Sequence, residues 1–366
     1  MHIAVDVREL CGRPTGVGRY LTGLLEAWAG NPNALRHQWT LYSHAPATLP
    51  GRWNQRLRVI DGGGGSAWEQ LTLPRAINAQ RPDVFFAPGY TAPLSVATPL
   101  VLTIHDVSFF AHREWFAFRE GFRRRTLTAW SARRARTVIT DSQFSKVEIG
   151  KYVGIDAARV KVIPLGIDHT AAASRAGQEG RSREPVVLYV GSIFARRRVD
   201  RLIEAFDVVA GRVPAATLEI VGENRTSNPR LDLDALAQRC RHRDRIHIRS
   251  YVDDETLAGL YGRASVFAFL SEYEGFGFTP LEALAAGVAP VVLDTPIARE
   301  TCGPAARYVS PSATAADVAD AITGLLTNEA ERRELLQHAP AVLGRFDWDL
   351  AAADTLQVIE EAAIGR

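Results

Sequence analysis

The sequence predicts an α/β protein of two Rossmann-like domains, each built on a parallel sheet, and three observations carry that expectation. The chain has 366 residues, beyond the length at which one hydrophobic core usually keeps growing. Short apolar strands alternate with helical patterns in two successive series, as parallel sheets require. Between the series, residues 171–184 are rich in Ala, Gly, Ser and Arg without apolar periodicity, which reads as a linker.

The first series places strands at 2–7, from His37, and at 83–86, 100–104, 138–140 and 160–163, with a helix opening near Gly18. The second places them at 186–190, 217–221, 246–248, 266–270 and 288–293. The linker therefore divides a first domain, 1–170, from a second, 185–345. In open sheets of this kind ligands bind beyond the carboxyl ends of the strands, so two such domains are expected to face one another across a cleft that holds the chemistry.

Composition excludes several classes. Hydrophobic residues make up 46% and charged residues 23%, ordinary globular usage without a disordered tract. Cys11, Cys240 and Cys302 are widely spaced and lack the paired spacing of a zinc site, so they read as reduced thiols. The start carries Asp6 inside its apolar run, and no stretch approaches eighteen uninterrupted apolar residues. A cytoplasmic protein is expected. Net charge is only +2, but residues 1–167 hold 21 Lys/Arg against 12 Asp/Glu, and 168–366 hold 22 against 29. The basic first half is expected to meet something anionic, such as a phospholipid surface, a lipid phosphate or an acidic glycan; nucleic acid is not expected.

The most informative segment runs from an apolar strand into Ser271, Glu272, Tyr273, Glu274, Gly275, Phe276, Gly277 and Phe278, then a helix containing Pro280 and Glu282. Gly275 and Gly277 allow close backbone approach, and the amides of a helix start favour phosphate. Carboxylates beside a phosphate site are awkward unless they accept hydrogen bonds from hydroxyls, which sugars supply. Glu274 and Glu282 thus suggest a sugar at each end of a diphosphate, although acidic residues near a helix start also have a purely local explanation.

Here the chain resembles the family 4 retaining glycosyltransferases (glycosyl transferases group 1), which have the two-domain GT-B fold, and bacterial mannosyl- and rhamnosyltransferases among them. That resemblance implies that Glu274 holds hydroxyls of the transferred sugar, that the amides from Gly275 through Phe276 to Gly277 face the diphosphate, and that Glu282 binds the ribose. The run from Gly191 through Ser192 to Arg196, Arg197 and Arg198 resembles the family's phosphate-binding loop. Arg197 falls where the family usually has a lysine, so a point charge becomes a planar fork; Arg196 or Arg198 could serve in its place. The segment from Thr15 to Tyr20 resembles the family's glycine loop, which assigns Gly16 and Gly18 to donor phosphates. His105, at a strand's carboxyl end, resembles the histidine placed against the donor sugar, with Asp106 beside it to orient the ring or cap the next turn. Ser142 and Lys146 resemble a segment near the cleft, but Ser142 also suits a helix N-cap. Residues 346–366 resemble the family's helix crossing back to the first domain.

The expected activity is therefore transfer, with retention, of a hexose from a nucleotide diphosphate sugar to a glycan or lipid-linked acceptor. GDP-mannose is the first donor to consider, and neither metal nor cofactor is required. The Asp232–Leu233–Asp234 run, which imitates a metal-binding motif, reads instead as a helix start. Residues 113–136 mix Trp115, Phe116, Phe118, Phe122 and Trp130 with eight arginines. They fit a peripheral contact with the inner face of a membrane, or an amphipathic helix packing its aromatics on the sheet. Two rival functions are a regulatory protein that binds nucleotide sugars without catalysis, and a dinucleotide-dependent oxidoreductase. The latter lacks the acid that should follow the glycine loop by about twenty residues.

Overall fold

A computed structural model describes residues 1–12, 16–167, 183–227 and 229–365. Most of the expected linker, and Thr15 of the glycine loop, lie outside them. The chain divides into two compact units, Met1–Gly166 with Phe346–Arg366, and Ile167–Arg345.

In the first unit, seven strands run β1 (His2–Asp6), β2 (Gln38–Ser43), β3 (Leu57–Val59), β4 (Val84–Ala87), β5 (Leu100–Thr103), β6 (Thr137–Thr140) and β7 (Val160–Val162). Their order is β3-β2-β1-β4-β5-β6-β7, with every pair parallel. β4 and β5 are buried throughout, which is why they read as unbroken apolar runs rather than alternating ones. The principal helices are α1 (Gly16–Gly30), α2 (Phe118–Arg134) and α3 (Gln143–Val153).

The second unit holds β8 (Glu184–Val190), β9 (Thr217–Val221), β10 (Ile246–Arg249), β11 (Ala264–Phe269), β12 (Ala289–Leu293) and β13 (Arg307–Val309), in the order β10-β9-β8-β11-β12-β13, again all parallel. Helices α4 (Val199–Arg212), α5 (Phe278–Ala285) and α6 (Ala315–Thr327) belong to this unit. The six-residue helix Leu233–Gln238 begins at Asp232, whose carboxylate accepts from Ala235 N at 2.9 Å, so the metal-like acidic run serves as a helix cap.

The last helix, α7 (Trp348–Ile364), starts on the Asp347 cap and buries Ala351, Ala352, Thr355, Leu356, Ile359 and Ala362. That stripe lies against α1, where Trp28 Nε1 donates to Ala352 O at 2.8 Å. Trp348 covers Gly23 and Gly166 so closely that a Cβ at either would overlap its ring. Farther along, Glu360 accepts from Arg36 at 3.0 Å and lies 2.7 Å from His37 Nε2, and Arg136 donates to Ala362 O at 3.0 Å. The first unit is thus completed by residues far away in sequence. Among the described residues, no helix is long and apolar enough to cross a membrane.

Candidate functional site

In each sheet the strand order reverses beside the first strand of its series. In the second unit that switch point lies between β8 and β11, the place where loops at the carboxyl ends of the strands part and leave room for a ligand. Both informative loops of this unit leave from there: Gly191–Arg198 follows β8, and Ser271–Gly277 follows β11.

Hydrogen bonds fix these loops to their surroundings. Ile193 N donates to Glu223 O at 2.8 Å beyond the end of β9, and Glu272 N donates to Arg196 O at 2.9 Å, joining one loop to the other. The three arginines take different tasks. Arg198 occupies the left-handed region at φ 47°, pairs with Glu272 and donates to Pro311 O at 2.7 Å, so it anchors the start of α4. Arg196 lies over the Phe194 ring at 4.4 Å, and its buried Nε has no hydrogen-bond partner among the described residues. Arg197 points inward: Nε donates to Glu274 Oε1 at 2.8 Å and Nη1 to the Ser192 carbonyl at 2.8 Å, with the two charged side chains only 13% and 14% exposed.

Ser271 Oγ also donates to Glu274 Oε1, at 2.8 Å. Burial pushes the Glu274 carboxyl up, but the Arg197 and Arg196 charges and the Arg197 and Ser271 hydrogen bonds outweigh it and hold the group below its ordinary value. It is an ionised acceptor. Burial also raises the Tyr189 phenol, to about 12, and its hydroxyl donates to Ser192 O at 3.2 Å.

The second loop ends at Gly277, where φ is 96°. An L side chain there would be strained, and glycine lets the chain turn directly into α5. No side chain of Gly277 can cap that helix, and its first turn holds no acidic residue. The first amides of α5 are therefore suited to an anion. Thr279 Oγ1, in the same turn, is buried without a hydrogen-bond partner among the described residues. Phe276 is buried and meets Phe278 edge-on at 5.2 Å, while Glu282 is half-buried in the second turn. Ser192, Arg196, Arg197, Glu274, Gly275, Phe276, Gly277 and Glu282 thus belong to two adjoining loops and one helix start. Sequence reasoning missed Ser271, Tyr189 and Thr279. A hydroxyl immediately after the strand and another inside the helix start were the available signals.

In the first unit, Gly16 opens α1 and is exposed, whereas Gly18 is buried one half-turn later. His105 follows β5. Its Nδ1 lies 2.7 Å from Asp141 Oδ2 and its Nε2 lies 2.9 Å from the Pro88 carbonyl. The Pro88 carbonyl accepts only, so Nε2 donates; Nδ1 donates as well when Asp141 is ionised, and burial pushes the Asp141 carboxyl above its ordinary value. Burial alone would lower the His105 pKa, but the Asp141 charge and hydrogen bond outweigh burial and raise it. Tyr20 and Tyr90 meet the ring edge-on at 4.9 and 5.6 Å. Each ring nitrogen thus has a partner within this unit. The ring is oriented by Asp141, not by Asp106, which accepts from Ser108 N at 2.7 Å and from Tyr90 OH at 2.8 Å. Ser142 caps α3, accepting from Ser145 N at 3.0 Å.

Comparison with known proteins follows the same division. The family model "Glycosyltransferase Family 4" matches residues 14–171, and "Glycosyl transferases group 1" matches residues 172–341. A D-inositol 3-phosphate glycosyltransferase of Xylanimonas cellulosilytica is 30% identical over 239 residues, 60% of this chain and 55% of that protein. A GDP-mannose:cellobiosyl-diphosphopolyprenol alpha-mannosyltransferase of Komagataeibacter xylinus is 29% identical over 248 residues, 66% of this chain and 60% of that protein. The matches thus span little more than half of these two relatives. The crystal structure of Anabaena HepE in complex with UDP and glucose superposes with a TM-score of 0.76 at 19% identity, covering 99% of this chain and 100% of that one. At that identity the likeness speaks for the fold alone: two Rossmann-like units of the GT-B class.

Proposed function

Because the chain belongs to the family 4 glycosyltransferases, we propose that it moves a hexose from a nucleotide diphosphate sugar to a glycan or lipid-linked acceptor. The observation that carries this reading is the Arg197–Glu274 pair at the β8/β11 switch point, where an ionised carboxylate adjoins an uncapped helix start. A diphosphate fits the first amides of α5 together with Arg196 and Arg197, and the sugar hydroxyls fit Glu274. Glu282 lies farther along α5, where a ribose would follow.

In the reaction, the bond between the anomeric carbon and the phosphate oxygen breaks, and a bond from the acceptor oxygen to that carbon forms. Negative charge grows on the departing phosphate, and fixed positive groups stabilise it more than they stabilise the bound donor. We assign that work to Arg196, Arg197 and the α5 amides. Retention follows if the acceptor attacks from the side the phosphate leaves, with the acceptor proton passing to the phosphate oxygen. No protein nucleophile takes part. GDP-mannose is the first donor to test, because the Komagataeibacter relative bears it in its name.

The lipid-linked alternative for the acceptor is favoured by α2. Phe118, Phe122 and Trp130, spaced at four and eight residues, are 82%, 59% and 54% exposed, while Trp115 and Phe116 are half-buried. An exposed aromatic stripe beside Arg119, Arg123 and Arg124 suits an anionic membrane surface.

A thermal-shift panel of nucleotide sugars, followed by a transfer assay with the donor that binds, tests the reading. The true donor should raise the midpoint by mass action. A panel in which no nucleotide sugar shifts the midpoint would refute it.

A further inference from the structure

We propose that Arg197, besides its charge toward the diphosphate, positions Glu274 and so sets the sugar discrimination of the donor site, by fixing the plane in which the carboxylate meets the sugar; this rests on the nucleotide-sugar reading above. Glu274 Oε1 accepts two hydrogen bonds, one from Arg197 Nε and one from Ser271 Oγ, both at 2.8 Å. Two donors fill the two lone-pair directions of one carboxylate oxygen. They converge from different elements, the loop after β8 and the loop after β11, so the carboxylate can neither swing nor exchange its two oxygens without losing both bonds. Oε2 is the oxygen left to take a sugar hydroxyl.

The guanidinium itself is held in several ways. Nη1 donates to the Ser192 carbonyl, which also accepts from Tyr189 OH. The guanidinium carbon lies 5.0 Å from the Phe269 ring and 5.6 Å from the Phe194 ring. A Cβ on Gly191 would approach Nη1 to 2.9 Å, so that glycine makes room for the fork. A planar group with separated donors can bind Glu274 along one edge and the Ser192 carbonyl along another at once. The single ammonium of a lysine, on a flexible stem, keeps the charge but cannot hold the plane of the carboxylate. A fixed acceptor discriminates because a sugar with a misplaced hydroxyl leaves a buried carboxylate oxygen unpaired.

The test compares paired affinities in the full chain, by titration calorimetry with GDP and GDP-mannose, and with UDP and UDP-glucose. In whichever pair the wild-type chain prefers the sugar nucleotide, Arg197→Lys should lower the ratio of the two affinities by about tenfold or more, and Ser271→Ala by severalfold. The kcat/KM preference among epimeric sugar nucleotides should shrink in the same order. A parallel loss of affinity for nucleotide and sugar nucleotide in Arg197→Lys would make Arg197 a phosphate cation only, and overturn the proposal. An unchanged ratio would overturn it as well. Should Arg197→Lys fail to fold, Ser271→Ala carries the test alone, and an unchanged ratio there is decisive against the proposal. A wild-type chain that binds both sugar nucleotides but prefers neither over its bare nucleotide overturns this proposal and leaves the donor reading standing, whereas one that binds no nucleotide sugar refutes the donor reading itself.

Discussion

With His105 read as an imidazolium paired to Asp141, replacing Asp141 by Asn should destabilise the first unit, because it removes the counter-charge from a buried ring. His105 is 8% exposed and Asp141 3%. Removing one member of a buried ion pair typically costs about 3–5 kcal/mol, most of it the penalty of the abandoned charge. For a unit of this size that corresponds to a fall of roughly 6–20 °C in unfolding midpoint. The pair also predicts a pH dependence of definite sign. The folded pKa of His105 lies above its ordinary value of 6.5, so its contribution is complete below that pH and is lost as the pH rises through the raised value. Asp141, Asp106, Tyr20 and Tyr90 are the ionisable groups around the ring; Asp141 dominates among the charges, and burial pushes its own carboxyl above the ordinary value, which costs stability at the pH where it ionises. Scanning calorimetry of wild type and Asp141→Asn between pH 6 and 9 measures both effects, and the mutant should lose the wild-type decline at alkaline pH. A mutant midpoint within about 2 °C of wild type at pH 6 would show that the ring is neutral and that the charge argument is wrong.

Three further outcomes follow from other parts of the molecule. Arg196→Met should lower transfer turnover by roughly 10²–10³ in a steady-state assay, if Arg196 is the cation proposed above to stabilise the departing phosphate. A variant with full activity would exclude that role. Changing Phe118, Phe122 and Trp130 together to Ser should abolish co-sedimentation with phosphatidylglycerol vesicles while altering stability by no more than about 0.5 kcal/mol per exposed site. Equal binding to neutral phosphatidylcholine vesicles would argue against arginine-led docking. Gly23→Ala should cost about 1–3 kcal/mol in urea unfolding because the new methyl collides with Trp348. Pairing it with Trp348→Leu should recover part of that loss.

The long central strands were legible because burial on both faces forces runs of Val, Ile, Leu and Phe, as in β4, β5 and β11. The edge strands β3 and β13 were not, since three residues with exposed members carry neither a run nor an alternation. At the candidate site, Glu274, Gly277 and the arginine triplet were visible as a local pattern. The division of labour among Arg196, Arg197 and Arg198 was not, because it depends on which carbonyls and carboxylates the second loop brings within reach. The partnership of His105 with Asp141 was hidden for the same reason: 36 residues and a strand crossover separate them. For neighbouring Asp106 the sequence left two readings, orienting the ring or capping the next turn, and its carboxylate takes Ser108 N at that turn together with Tyr90 OH. The aromatic mixture around α2 divided by helical position, with Phe118, Phe122 and Trp130 on the face turned away from the sheet.

The docking of α7 on α1 has a bearing on how the chain acquires its structure during synthesis. Domains usually fold in the order they leave the ribosome. Here the second unit, Ile167–Arg345, has its whole sequence available before the first does, because the stripe from Ala351 to Ala362 that covers α1 follows it in the chain. Until then Trp28 has no Ala352 carbonyl to bond, and the apolar face of α1 stays open to water and to other chains. The nascent first unit is therefore the species that needs protection from aggregation, and removal of Phe346–Arg366 would trap it in that condition.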